Sequence, residues 1–150
     1  MKGEMRDLET ISTALSAAET GHLVCFFLYW KQREESINRI IDSFPPSAQN
    51  QVKTQLAASL IGVVSQRLIP RINGGRIPAI EVMLANSAIR NLIREGKTYQ
   101  IDLVLETSAD KGMISLNKSL ANLVHKEEIS LENAELYSLN LTGLRTLLGK

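Results

Sequence analysis

The dipeptide Asn73-Gly74, followed by Gly75, constrains the local course of the chain more tightly than any other residues in the sequence. Asn-Gly tolerates the positive φ values that a tight hairpin turn demands, and here it stands between two strand-like runs. Those runs are Val63-Val64-Ser65-Gln66-Arg67-Leu68-Ile69 and Arg76-Ile77-Pro78-Ala79-Ile80-Glu81-Val82. A hairpin is therefore predicted over 63–82. Pro78 has no N–H to donate, so its strand must be an edge or carry a bulge there. Gly74-Gly75 is read as a turn and not as a phosphate cradle, because no Lys-Ser or Lys-Thr pair follows it.

Around the hairpin the hydrophobic period changes. Asp7 to Glu19 reads as a helix with Asp7 as N-cap and Leu8, Ile11, Leu15 and Ala18 on one face; Gly21 ends it. His22 to Trp30 is a short, nearly continuous apolar run, the pattern of a buried strand in which Cys25 is a small core residue. Glu34 to Phe44 is helical, with Ile37, Ile40, Ile41 and Phe44 inward, until Pro45-Pro46 stops it. Ser47 is expected to cap a further helix to about Leu60, with Val52, Leu56 and Leu60 inward. Beyond the hairpin, helices are predicted over 86–94, 98–107, 115–126 and 130–137. The layout is α/β in the first half, residues 1–84, and a helical subdomain in the second, residues 85–150. The chain opens on Gly3-Glu4-Met5-Arg6-Asp7, polar residues with no strand before them. An α/β sheet places the strand first and the functional groups at its carboxyl end, so the chain is expected to open in the middle of a domain.

Charge and cysteine content remove several function classes. Lys and Arg total 17 against 16 Asp and Glu, which gives no electrostatic case for a nucleic-acid partner. One cysteine excludes an internal disulfide and fits a reducing compartment, and His22 and His125 are too far apart in sequence to suggest a metal pair, so no metal site is expected. Glu4, Asp7, Glu9 and Glu19 break any signal-peptide core. The run Leu23 to Trp30 falls far short of the ~20 residues that span a bilayer. A cytoplasmic protein is expected, with docking on a membrane complex left open.

Several short motifs carry a resemblance over nearly the whole chain. Gly3-Glu4-Met5-Arg6-Asp7-Leu8-Glu9-Thr10 resembles the end of the Walker B segment in the pilus-retraction (twitching-motility) branch of the type II/IV secretion ATPases. Glu19-Thr20-Gly21-His22-Leu23-Val24 resembles the opening of that family's histidine box. Ala88-Ile89-Arg90-Asn91-Leu92-Ile93-Arg94-Glu95 matches the family's Ala-Ile-Arg-Asn-Leu-Ile-Arg-Glu signature, and this is the most specific of the matches. Phe44-Pro45-Pro46, Val64-Ser65-Gln66-Arg67-Leu68 and Lys111-Gly112-Met113 fall in the expected order. The resemblance implies the C-terminal part of a RecA-like P-loop ATPase core, a partial sheet with a hairpin, followed by a helical subdomain.

In that family ATP and Mg²⁺ are the cofactors, and the Walker B glutamate orients the attacking water; the match puts this role on Glu4. Arg6 and Asp7 would hold the local ion-pair geometry, and His22 would be a polar sensor at a strand start, close to the nucleotide of its own or a neighbouring subunit. The 88–95 helix would act in retraction through contacts with neighbouring subunits of a homo-hexamer or with the pilus machinery at the inner membrane. Part of it is core, because Ile89, Leu92 and Ile93 make an apolar stripe, whereas Arg90, Arg94 and Glu95 cannot all be buried unpaired.

Two departures stand against these matches. No Gly-x-x-x-x-Gly-Lys-Ser/Thr occurs in the sequence, so the loop that wraps the phosphates is missing, and the chain alone is expected not to hydrolyse ATP. The histidine box also breaks off after Val24: Cys25-Phe26-Phe27-Leu28-Tyr29-Trp30-Lys31-Gln32-Arg33 replaces small residues, and Tyr29 falls where the second histidine is expected. Family-like residues resume at Glu35-Ser36-Ile37-Asn38-Arg39-Ile40-Ile41-Asp42. Such a local change points to a stretch out of frame between compensating indels, or to divergence after activity was lost. Two readings follow: a truncated or split retraction ATPase, or a non-catalytic module that joins intact ATPase subunits. An unrelated enzyme using Glu4 and His22 lacks a nucleophile or metal set.

Overall fold

The computed structural model describes residues 2–4, 7–27, 33–107 and 112–149, and for 2–4, 26, 27 and 33–35 it describes the backbone alone. The chain divides into two compact units, one of Met1–Gly62 with Ala85–Val104 and one of Val63–Leu84 with Leu105–Lys150. This grouping follows packing, whereas the division at residue 84 follows motifs; the two partition the chain on different criteria.

In the first unit, strand β1 (Lys2–Glu4) runs parallel to β2 (Cys25–Phe27), with Lys2 opposite Cys25, Gly3 opposite Phe26 and Glu4 opposite Phe27. The opening residues thus do include a strand, which their polar character concealed. Parallel neighbours need a crossover, and helix α1 (Leu8–Glu19) supplies it. Its N-cap is Asp7, as expected, and Gly21 leaves it at φ 88°. The strand predicted over 22–30 is described only from Cys25 to Phe27, and Cys25 is exposed rather than a core residue. The described part of this sheet has two strands.

Helix α2 (Arg33–Asp42) buries Ile37, Ile40 and Ile41. Helix α3 (Pro46–Ser59) follows, and its start corrects the expectation for Ser47: Pro45 is the N-cap and Pro46 the first helical residue, without any side-chain cap. Proline at that position lacks an N–H that would have no helical partner anyway, and its ring pre-sets the helical φ. The centre of the unit is α3, with α1, α2 and α4 (Ser87–Glu95) packed against it. Val52, Leu56 and Ala57 of α3, Ile11, Ala14 and Leu15 of α1, and Ile89 and Ile93 of α4 are all buried. The helix predicted over 98–107 is a 3₁₀ turn at Thr98–Gln100 followed by α5 (Ile101–Glu106). Thr98 is buried there and donates its hydroxyl to Asn38 Oδ1 at 2.9 Å, which holds the turn against α2.

In the second unit, β3 (Gly62–Pro70) and β4 (Arg76–Leu84) form the predicted hairpin. A connection this short can join only antiparallel neighbours. Gly74 and Gly75 take φ of 85° and 74°, and the Arg71 N–H donates to the Gly75 carbonyl at 3.1 Å. The turn is pinned from outside as well: Arg71 Nε donates to Glu128 Oε2 at 2.9 Å, and the Ile72 N–H to the Glu128 carbonyl at 3.0 Å. Pro78 lies in a strand of a two-stranded sheet, an edge by construction. One face of the hairpin buries Ile69, Ala79 and Met83. Helix α6 (Leu116–His125) packs on β4, and the Ile80 N–H donates to Ser119 Oγ at 2.9 Å.

Helices α7 (Leu131–Tyr137) and α8 (Leu141–Leu147) close the same core, in which Leu116, Leu120, Ala121, Ile129, Ala134 and Leu144 cluster with Ile69 and Ala79. Helix α8 was not foreseen. Asn140 is its N-cap, accepting from the Gly143 N–H at 3.0 Å. The turn between α7 and α8 is held by the buried Asn117, whose Nδ2 donates to the Asn140 carbonyl at 2.8 Å while Oδ1 accepts from Ser138 Oγ at 2.7 Å.

Candidate functional site

Glu4 ends β1, and only two residues separate it from Asp7, where the α1 cap begins. It therefore sits at the carboxyl end of a strand in a parallel pair, the edge on which α/β sheets carry their functional groups. Arg6 lies outside the described residues. Asp7 spends both carboxylate oxygens on one partner: Oδ1 accepts from the Thr10 N–H at 2.8 Å and Oδ2 from the Thr10 hydroxyl at 2.9 Å. The backbone N–H first, then the hydroxyl, hold its carboxyl below the ordinary value of 3.8. Asp7 is thus engaged as a helix cap.

A pH signature follows from the sign of that shift. A carboxyl whose folded pKa is depressed stabilises the fold above the unfolded pKa, and the contribution disappears as pH falls through the folded one. The stability difference between the chain and Asp7→Ala is expected to stay constant well above 3.8 and to shrink as pH drops below that value. Urea unfolding across a pH series checks it; a difference independent of pH would remove the charged cap.

His22 stands exposed in the link between α1 and β2, three residues before Cys25. It is at the end of the ladder where Lys2 pairs with Cys25, opposite to the end that carries Glu4. The described parallel pair therefore separates these two residues rather than bringing them together. The His22 Nδ1 atom lies 3.0 Å from Thr20 Oγ1, and that hydroxyl donates its single proton to the Ala17 carbonyl at 2.9 Å. Thr20 can then only accept from the ring, which makes Nδ1 the donor in this pair. Beside it, Thr13, Ser16, Ala17, Thr20 and Leu23 line an open depression along α1. Leu28 to Gln32, with Tyr29 among them, lie outside the described residues.

Residues 88–95 form most of α4, and the helix sorts them. Ile89 and Ile93 are fully buried and Leu92 is half-buried. Ala88, Asn91, Arg94 and Glu95 are exposed and, with Ser87, make one outward stripe at the i, i+3, i+4 spacing. Arg90 does something different from the other charged residues. Its Nε donates to the Ala85 carbonyl at 2.9 Å, and its Nη1 donates to the carbonyls of Ala58, at 2.7 Å, and Ala57. Ala57 and Ala58 belong to the last turn of α3, which has no basic residue of its own. Arg90 thus supplies from another helix the positive charge and donors that the end of α3 needs. Sequence offers no local signal for this, because Arg90 and Ala57 are 33 positions apart.

Gly96-Lys97-Thr98 holds the closing residues of a phosphate loop without its first glycine. All three are committed elsewhere. Gly96 is the left-handed C-cap of α4 at φ 70°, Lys97 pairs with Glu95 at 2.8 Å, and Thr98 is buried against Asn38. Among the described residues no group of three His, Cys, Asp or Glu side chains is placed to hold a metal ion. No described helix is long and apolar enough to cross a membrane.

The chain is similar to known proteins over most of its length. The family model described as "Type II/IV secretion system protein" matches residues 1–136. The type IV pilus retraction ATPase PilT of Pseudomonas aeruginosa is 48% identical over 132 residues, which are 88% of this chain and 38% of that protein. A twitching motility protein of Neisseria gonorrhoeae is 45% identical over 133 residues, 88% of this chain and 36% of that protein. In three dimensions the chain is similar to the pilus retraction motor PilT solved with bound ADP, at a TM-score of 0.83 and 44% identity, over 96% of this chain and 40% of that one. The chain thus spans about two-fifths of the length of the relatives it matches.

Proposed function

The chain belongs to the type II/IV secretion system protein family, and on that premise we propose that it forms the C-terminal part of a pilus-retraction ATPase. Residues 1–84 are its share of the ATPase core and 85–150 its helical subdomain. The observation that carries the reading is the position of Glu4, at the carboxyl end of a strand parallel to β2 with a capped helix starting just beyond it. There a carboxylate can orient and deprotonate the water that attacks a phosphoryl group held in front of the sheet. ATP and Mg²⁺ supply the transferable phosphoryl group and the charge neutralisation in that chemistry. The sequence has no Gly-x-x-x-x-Gly-Lys-Ser/Thr, so nucleotide binding is assigned to a loop supplied by another segment or another subunit. His22, at the opposite end of the ladder, is read as a polar contact to a neighbouring subunit.

The exposed stripe of α4 favours a second reading, in which the chain is a non-catalytic module that enters rings of an intact retraction ATPase. Both readings place it in the cytoplasm, at the base of the pilus machinery. One experiment separates them. The purified chain is expected to hydrolyse ATP no faster than its Glu4→Gln variant, which tests the missing phosphate loop. It is then mixed with the Pseudomonas aeruginosa retraction ATPase carrying a disabled glutamate of its own. Turnover that returns with the chain but not with Glu4→Gln supports the split-ATPase reading. Co-assembly that leaves turnover indifferent to Glu4 supports the module. Activity of the chain by itself would overturn both.

A further inference from the structure

We propose that Arg90 is a positioning residue, which clamps α4 to the end of α3 and so sets the direction in which Asn91 and Arg94 are presented to a partner subunit. The proposal rests on the reading of α4 as a contact helix. Its basis is the three-carbonyl grip of one guanidinium: Ala57 and Ala58 at the end of α3, and Ala85 just before the N-cap of α4. These carbonyls come from two segments brought together where the chain leaves this unit after Gly62 and re-enters it at Ala85. A backbone bond from the Ala85 N–H to the Ile61 carbonyl, 2.9 Å, closes the same junction. A planar guanidinium holds several acceptors in a fixed relation, which an ammonium on a flexible stem cannot do. The neighbouring Asn91 and Arg94 are exposed, so a rotation of α4 would move them first.

This geometry divides the two arginines of the motif by task. Arg94 faces outward and is a contact candidate, whereas Arg90 is consumed within its own unit and acts through the orientation of its helix. The two roles predict different behaviour for variants at the same distance from any partner.

The test uses the full chain and, as probe, the retraction ATPase of Pseudomonas aeruginosa. Four proteins are compared: the chain, Arg90→Gln, Arg90→Lys and Arg94→Ala. Amide exchange is followed at Leu60 and Ala85, whose N–H groups bond to the Leu56 and Ile61 carbonyls at 2.8 and 2.9 Å beside the clamp. Binding to the probe is followed by fluorescence anisotropy. Arg90→Gln is expected to raise exchange at both amides by about tenfold, because charge-assisted bonds to three carbonyls are lost. Arg90→Lys keeps the charge at the end of α3 and should melt close to the parent, yet bind the probe about tenfold more weakly, since it lacks the fork. Arg94→Ala should weaken binding without changing exchange. If both Arg90 variants bind like the parent while exchange rises, the positioning role is overturned and the contact role of α4 stands. If Arg94→Ala binds like the parent, or the parent does not bind, the contact role fails and the positioning role fails with it.

Discussion

Truncating Ile93 to alanine is expected to destabilise the first compact unit by about 3 kcal/mol, within the 2–5 kcal/mol typical of large-to-small changes at a closed core site. Ile93 has no exposed surface, and neither does Ile89 one turn earlier on the same face of α4. Helix α4 packs on α3, whose Val52, Leu56 and Ala57 are themselves buried, so the deleted methyl groups leave a void that rigid helix backbones cannot close. Asn91→Ala, two positions away on the exposed stripe, is expected to change stability by less than about 0.5 kcal/mol. Urea unfolding of both variants reads the contrast, with the midpoint lowered only for Ile93→Ala. Equal effects would mean that the motif is not divided into anchor and surface as α4 divides it. That division also decides how a loss of function is interpreted. An Ile89 or Ile93 variant that no longer binds a partner has lost the helix, whereas an Arg94 variant that no longer binds has lost a contact.

How far this organisation was legible in the sequence depended on the range of the interactions involved. The α1 cap, the hairpin turn and the left-handed end of α4 are local: Asp7 bonds Thr10, Arg71 bonds Gly75, and Gly96 closes on Leu92 and Ile93. Residue type alone predicts such contacts. The apolar stripes of α1, α2 and α3 were legible in their middles for the same reason, since burial follows a period of 3.6. Leu8, expected inward at the start of α1, stands exposed, and Phe44 and Leu60 at the helix ends are only half-buried. Ser47 failed because proline at the first helical position makes a side-chain cap dispensable, a competition between two local rules. Helix α8 escaped notice because Gly143 lies inside it, although Asn140 followed by Leu144 and Leu148 carried a usable signal. For β1 there was almost none: three residues hold a strand only through pairing with β2. Glu4, His22 and the 88–95 signature were visible through family resemblance. That Arg90 is an internal clamp, and that Glu4 and His22 stand at opposite ends of one ladder, are facts of tertiary placement. No residue spacing could have supplied them.

The hairpin turn offers the cleanest large effect in the second unit. Replacing Gly74 and Gly75 together by alanine is expected to cost about 2–4 kcal/mol, since each residue holds a left-handed backbone that an L side chain resists by about 1–2 kcal/mol. Both φ values are positive, 85° and 74°, and an added Cβ would meet nothing within 4 Å at either position. The cost is therefore conformational, with no steric clash mixed into it. Gly143 makes the useful contrast: its φ is not positive, but a Cβ there would come within 2.9 Å of Asn140 Nδ2, so Gly143→Ala strains the α8 cap instead. Thermal unfolding of the double variant measures the loss, and amide exchange locates it. Protection should fall along β3, β4 and α6 and stay unchanged at Ile89 and Ile93, which belong to the other unit. The reason the effect should spread beyond the turn is register. A slip of one residue would carry Ile69, Ala79 and Met83 from the buried face to the outer one, where Val64, Leu68 and Ile80 are already exposed. A double variant that unfolds like the parent would show that the strands hold their register without the turn. Ser119, which accepts the Ile80 N–H, and Glu128, which grips Arg71, would then be the residues that set it.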